Sequence, residues 1–319
     1  MSRRKKSPLI KSLEISLVYL LFKLWIFWAR HLSLKSLGFY GKKLGTIALH
    51  LLRKPRRNAL NNLHLALGSE KSEEEIKQIC LDSFKNIGRD MMENTRYLEF
   101  RDSNFKTLVR LEGKEYLDTA LKQGKGVIAL TAHLGNFPLM CGRLANEGYP
   151  LSIVNRFSKN LKIVKFITSV TDTFGFELIP LKPPMTCVAR CFKALKENRI
   201  LMVHIDLNAP ATEAWVDFFG YLVPTFKGPV VFSLRTGAPI LPVFTIRNSD
   251  SHHKIIIHPP FGLNTTGNSQ QDITSNIAQL TKIVEATVRE YPEQWWWARP
   301  RFKRARDIQT GKSLFPKHP

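Results

Sequence analysis

With 319 residues, of which 44% are hydrophobic and 23% charged, the chain is long enough for one large domain or two modest ones, and its composition excludes a disordered polymer and a multi-spanning membrane protein. The net charge of +22 is concentrated at the ends: residues 1–60 carry 14 Lys/Arg against Glu14 alone, and residues 299–319 carry seven against Asp307. Such ends seek a polyanion, either nucleic acid or an anionic bilayer.

MSRRKKS opens the chain and Ile15–Trp28 follows as an apolar run. It lacks a small-residue cleavage site and continues into WARHLSLK, so it is not a signal peptide. Lys23 interrupts it, which makes it short for a span of about 20 apolar residues. Tyr19, Trp25 and Trp28 suit the headgroup region, and residues 1–45 read as an interfacial or tilted membrane anchor, with a single span as the competitor. A second basic cluster, Arg53, Lys54, Arg56 and Arg57, precedes a helix start marked by the Ser72/Glu75 capping box. Behind that start, Ile76, Ile79, Cys80, Ser83, Phe84, Ile87 and Met91 recur at helical spacing, and no chemistry shows on this helix.

From residue 107 strand and helix alternate. Strands are expected at Val127–Thr131, Leu151–Val154, Leu178–Ile179, Ile200–Ile205, Ile240–Thr245 and Lys254–Ile257. Helices are expected at Phe137–Asn146, Leu161–Phe174, Thr186–Glu197, Gly228–Arg235 and Ile273–Tyr291. This texture predicts an α/β fold, a mixed and mostly parallel sheet with helices on both faces, forming one domain over 46–319 behind the N-terminal anchor. Cys80, Cys141, Cys187 and Cys191 are scattered without a CxxC pair; they fit a reducing compartment and argue against a zinc site, so no metal is expected.

Four stretches could carry chemistry. His133, with Gly135 and Asn136, follows a strand, as catalytic groups often do in open α/β sheets. Arg156 ends the next strand, where a guanidinium can hold an anion. HIDLNAP (204–210) ends a third, placing His204, Asp206 and Asn208 on one side by alternation. Residues 215–244 read as an exposed apolar loop containing Phe218 and Phe219, then a turn at Lys227 and Gly228 that opens a helix able to receive an anion.

AHLGNF, VNR, DLN, VDFFG, GPVVFSLRTGAPILPVF and PEQWWWARPRFK, in this order and spacing over roughly residues 45–305, resemble the lipid A biosynthesis acyltransferase family. That family lies within the glycerolipid and lysophospholipid acyltransferases that carry an H-x4-D/E motif. The resemblance implies a glycerolipid-acyltransferase-like fold and an enzyme at the cytoplasmic face of the inner membrane. It would move a fatty acyl chain from acyl carrier protein or a coenzyme A thioester to a hydroxyl of a lipid acceptor such as a lipid A precursor. It assigns the general base to His133 and an acceptor or oxyanion role to Arg156, and it implies no cofactor beyond the thioester co-substrate. One position departs from the pattern: Pro138 stands where the family has its acid.

Either activity is lost, or another carboxylate orients His133. Asp206 ranks first because it ends a neighbouring apolar strand, with Glu147 and Glu213 behind it. Asn136, Asn208, Phe218, Phe219, Lys227 and Gly228 complete the expected substrate-binding set, the phenylalanines bordering an acyl-chain groove unless packing alone explains them. The rival expectations are a membrane-bound scaffold of the same fold with its acid lost and, behind it, a nucleic-acid binder, against which no recognised module appears. PEQWWWARPRFKRAR is expected at the membrane interface or along the catalytic face, the alternative being at least one core tryptophan.

Overall fold

The structure, a computed structural model, describes residues 20, 23–99, 103–157, 160–248 and 251–315. Half of the expected anchor run Ile15–Trp28, including Tyr19, lies outside the described residues. Seven strands form the main sheet: β1 (Val109–Glu112), β2 (Val127–Thr131), β3 (Leu151–Asn155), β4 (Glu177–Pro180), β5 (Ile200–His204), β8 (Ile240–Arg247) and β9 (His253–Ile257), in the order β1-β9-β8-β2-β5-β3-β4. Every neighbouring pair is parallel except β8 and β9. The expected mixed, mostly parallel sheet is therefore present.

Its central strands are apolar on both sides because both faces are covered. Ile128, Leu130 and Leu201 point into one core, beneath α3 (Arg53–Leu67), α4 (Glu73–Glu93), α9 (Pro184–Lys196) and α11 (Ser269–Glu290). Val127, Ala129 and Met202 point into the other, beneath α6 (Lys114–Leu121) and α7 (Phe137–Asn146). The strand period of two alone produces this division. The Ser72/Glu75 box caps α4 as expected, and Cys187 and Cys191 are both buried on α9.

The stretch expected as an apolar loop is instead a hairpin, β6 (Ala214–Phe218) and β7 (Tyr221–Thr225), with β10 (Arg306–Asp307) on its edge. Phe218 pairs with Tyr221, so the turn is the two residues Phe219 and Gly220, both at positive φ (53° and 79°), as a tight primed turn requires. Phe219 tolerates that conformation because its N–H donates to Glu285 (2.8 Å) and its ring is buried. α10 (Gly228–Thr236) follows the hairpin, and α8 (Leu161–Phe174) links β3 to β4.

At the N-terminal end, a short helix α1 is described over 23–30, and α2 (Leu34–Leu51) runs across the boundary expected at residue 45. α2 packs closely on α4 because Gly41, Gly45 and Gly88 lie at the crossing. A Cβ on Gly45 would stand 2.1 Å from the Phe84 carbonyl oxygen, and one on Gly88 2.2 Å from that of Gly41. Among the described residues no helix is long and apolar enough to cross a membrane, so the competing single-span expectation has no support from them.

Candidate active site

The sheet register builds the site. Thr131 of β2 lies opposite His204 of β5, so two residues further along each parallel strand His133 and Asp206 emerge at the same level. The Asp206 carboxylate lies 2.9 Å from His133 Nδ1, accepts the His133 backbone N–H (2.7 Å), and accepts Trp295 Nε1–H (2.8 Å). The Asp206 side chain is fully enclosed, and burial alone would raise its pKa. The neighbouring His133 charge and hydrogen bond, with Trp295, outweigh burial and hold the carboxyl well below the usual range. An ionised carboxylate only accepts, so His133 Nδ1 carries a proton and directs it at Asp206.

Around the imidazole stand the rings of His204, Phe137 and Trp296, with ring centres 4.4, 5.1 and 5.6 Å away. Burial, then the proximity of His133, drives the His204 pKa down to about 3, which keeps that ring neutral. The turn after His133 is over-determined: Gly135 has φ 56°, and a Cβ there would lie 2.1 Å from the Thr245 carbonyl oxygen. Its N–H donates to the Gln294 carbonyl (3.0 Å), and Trp296 N–H donates to the His133 carbonyl (3.1 Å). The tryptophan segment thus runs along the His133 turn. Trp295 and Trp297 are core residues, and Trp296 is half-buried.

A buried ionic cluster braces this turn from below. Glu93 accepts Asn136 Nδ2–H (3.2 Å) and is paired with Arg247, which also pairs with Asp90, and His253 Nε2 meets Glu93 at 3.1 Å. Burial pushes the Asp90 carboxyl up to about 7 against the pull of Arg247. Glu93, equally enclosed, is held well below the carboxylate range by Arg247 and His253. Both acids come from α4, the helix on which the sequence showed no chemistry. Arg301 was likewise missed: fully buried, it donates to the carbonyls of Leu207 and Pro224 (2.8 Å each) and to Thr225 Oγ1, fixing the loop that leaves Asp206. Asp90, Glu93 and Arg301 stand among other charged residues in the sequence, so no local pattern marks them in advance.

The other expected site residues fall elsewhere. Asn136 is fully buried, caps α7 and bonds Glu93, so its polar atoms serve the turn. Pro138 occupies the first turn of α7, where a missing N–H costs nothing. Glu147 is taken by Arg143, Lys106 and Lys114. Glu213 accepts the Lys227 backbone N–H (3.1 Å), so the α10 N-terminus at Lys227 and Gly228 meets a carboxylate of the chain itself. Phe218 and Phe219 are core residues packed on Trp295 and Trp297, which corrects the exposed-loop expectation. Arg156 stands exposed beyond β3, two strands from β2 along the same sheet edge as His133. Asn208 follows Asp206 by two residues, its Oδ1 enclosed and without a partner among the described residues.

A buried carboxylate orienting a histidine whose second nitrogen is free is an arrangement that removes a proton from a hydroxyl. Residues 3–304 match the family described as bacterial lipid A biosynthesis acyltransferase. The chain is 25% identical to the lipid A biosynthesis palmitoleoyltransferase of Escherichia coli K12 over 283 residues, 88% of each chain. It is 22% identical to the lipid A biosynthesis lauroyltransferase of the same organism, over 82% of this chain and 84% of that one. It is also 29% identical to the phosphatidylinositol mannoside acyltransferase of Mycobacterium tuberculosis H37Rv, over 41% of this chain and 42% of the other.

Proposed function

The chain belongs to the bacterial lipid A biosynthesis acyltransferase family, and from that premise we propose that it transfers a fatty acyl chain from a thioester, on acyl carrier protein or coenzyme A, to a hydroxyl of a lipid acceptor, with His133 as general base and Asp206 as the carboxylate that orients it. The observation that carries the proposal is the 2.9 Å contact between His133 Nδ1 and Asp206, which supplies the function missing at Pro138. The acceptor hydroxyl gives its proton to His133 Nε2 as its oxygen attacks the thioester carbonyl. Asp206 stays ionised and stabilises the imidazolium. When the C–S bond breaks, the thiolate takes the proton back. An acceptor of the lipid A precursor type is favoured by the relatives covered over most of their length; a mannosylated phosphoinositide is the second choice.

The same reading places the enzyme on the cytoplasmic face of the inner membrane, lying in the interface. Leu24, Phe27, Trp28, Phe39, Ile47 and Leu51 are exposed on α1 and α2. At the start of α3, directly after α2, Arg53, Lys54, Arg56 and Arg57 line a cleft of about 460 Å³. Apolar side chains beside clustered cations suit an anionic lipid surface.

The test is acyl transfer by the purified full chain, with acyl–acyl carrier protein and acyl-coenzyme A offered against a lipid A precursor and a lysophospholipid. Ester formation should require His133, and His133→Ala should lower the rate at least about 10³-fold with folding intact. No transfer by the unaltered chain from either thioester would leave the scaffold of the same fold as the better account.

A further inference from the structure

The three consecutive tryptophans spend their indole N–H groups differently. Trp295 donates to Asp206 (2.8 Å) and Trp297 to the Pro292 carbonyl (2.6 Å). Trp296 Nε1, between them, is enclosed and has no partner among the described residues. An indole N–H can only donate, and buried donors in folded proteins almost always find an acceptor. The exception stands against the catalytic base: the Trp296 ring centre lies 5.6 Å from those of His133 and Phe137. Its backbone N–H donates to the His133 carbonyl (3.1 Å), and the Arg299 guanidinium lies 5.4 Å over its ring. The indole is thus held from three sides and tied to the residue it faces. Two other enclosed polar atoms that lack partners among the described residues, His204 Nε2 and Asn208 Oδ1, stand on the segment that carries Asp206. An unpartnered donor on a ring that faces His133 marks a hydrogen bond that a ligand completes.

We propose that the Trp296 indole N–H is the oxyanion donor of the acyl transfer. The inference rests on the thioester-to-hydroxyl reading above. As the acceptor oxygen bonds to the thioester carbon, its proton passes to His133 Nε2 and the carbonyl π pair moves onto oxygen. That oxyanion accepts the Trp296 N–H. On collapse the carbonyl re-forms, the C–S bond breaks, and the thiolate takes the proton from His133; ester and thiol are the products. A donor lacking any other acceptor among the described residues stabilises the charge once the bound thioester has opened the enclosed Nε1 to its carbonyl oxygen. Arg299 over the π face strengthens the donor by withdrawing electron density.

The decisive variant replaces Trp296 with β-(3-benzothienyl)alanine in the full chain, which exchanges the N–H for sulfur and keeps the ring; Trp296→Phe is the genetic counterpart. We expect kcat to fall about 100-fold, with KM for thioester and acceptor within about twofold. Affinity for a trifluoromethyl ketone analogue of the acyl donor, whose hydrate mimics the tetrahedral state, should fall by the same factor. A thioether analogue without a carbonyl should bind unchanged. Wild-type kcat in the benzothienyl protein, alongside transfer that still requires His133, would overturn this inference alone. Equal weakening of both analogues would assign Trp296 to packing and also overturn it. Absence of His133-dependent transfer in the unaltered chain would instead remove the parent reading, and this one with it.

Discussion

Asp206→Asn changes three hydrogen bonds at once, and their geometry dictates how. Asp206 Oδ2 faces two donors that cannot be reversed, the His133 backbone N–H (2.7 Å) and Trp295 Nε1–H (2.8 Å). The asparagine oxygen must therefore stay with that pair, which turns its NH₂ toward His133 Nδ1. Nδ1 then has to accept, the ring proton moves to Nε2, and the base is lost while the fold remains. Replacing the aspartate of a Ser-His-Asp triad by asparagine costs about 10⁴-fold in kcat through the wrong tautomer, and a loss of about 10³- to 10⁴-fold is expected here. Stability should change little, because a neutral amide relieves the burial of a charge while giving up charge-assisted bonds. The assay is thiol release from acyl thioester with lipid acceptor present, followed across pH together with a urea melt. An Asp206→Asn enzyme within about tenfold of wild type would refute the dyad. Glu147→Gln and Glu213→Gln should stay near wild type, since those carboxylates are held by other partners.

Replacing Phe39, Ile47 and Leu51 together by serine should release the protein from phosphatidylglycerol vesicles; each half-exposed side chain is worth about 1–2 kcal/mol of burial in the interface, and flotation that matches wild type would move the contact elsewhere. His204 gives a pH prediction of definite sign. Its pKa falls from 6.5 to about 3 on folding, so its contribution to stability is complete above pH 6.5 and is lost as pH drops toward 3, because the unfolded chain takes up a proton that the folded chain refuses. By pH 4.5 that loss is at most about 3 kcal/mol. His204→Gln should flatten the pH 7 to 4.5 difference in urea melts by that amount, and an unchanged difference would show the ring charging freely in the fold.

The sequence alone determined the layers. Runs such as Val127–Thr131 and Ile200–His204 are apolar without interruption, and only a strand covered on both faces uses such runs. Helices of period 3.6 between them required crossover connections and hence parallel pairing. The same reasoning put His133 at a strand end and ranked Asp206 as its partner, because Asp206 ends a neighbouring apolar strand. Local pattern could not reach further. The hairpin at 214–225 reads as a loop because Phe218 and Phe219 are apolar in succession, and what buries both is Trp295, Trp297 and Phe302, some 80 residues later. Glu93 and Asp90 look like the surface of a long helix until Arg247 from β8 arrives to neutralise them. The basic tryptophan segment looks interfacial by composition, yet two of its three indoles fill the core and the third meets the His133 ring. Which strands stand side by side, and therefore which charges and rings meet, is a property of the assembled sheet: register and crossover bring together residues whose separation along the chain carries no record of the contact.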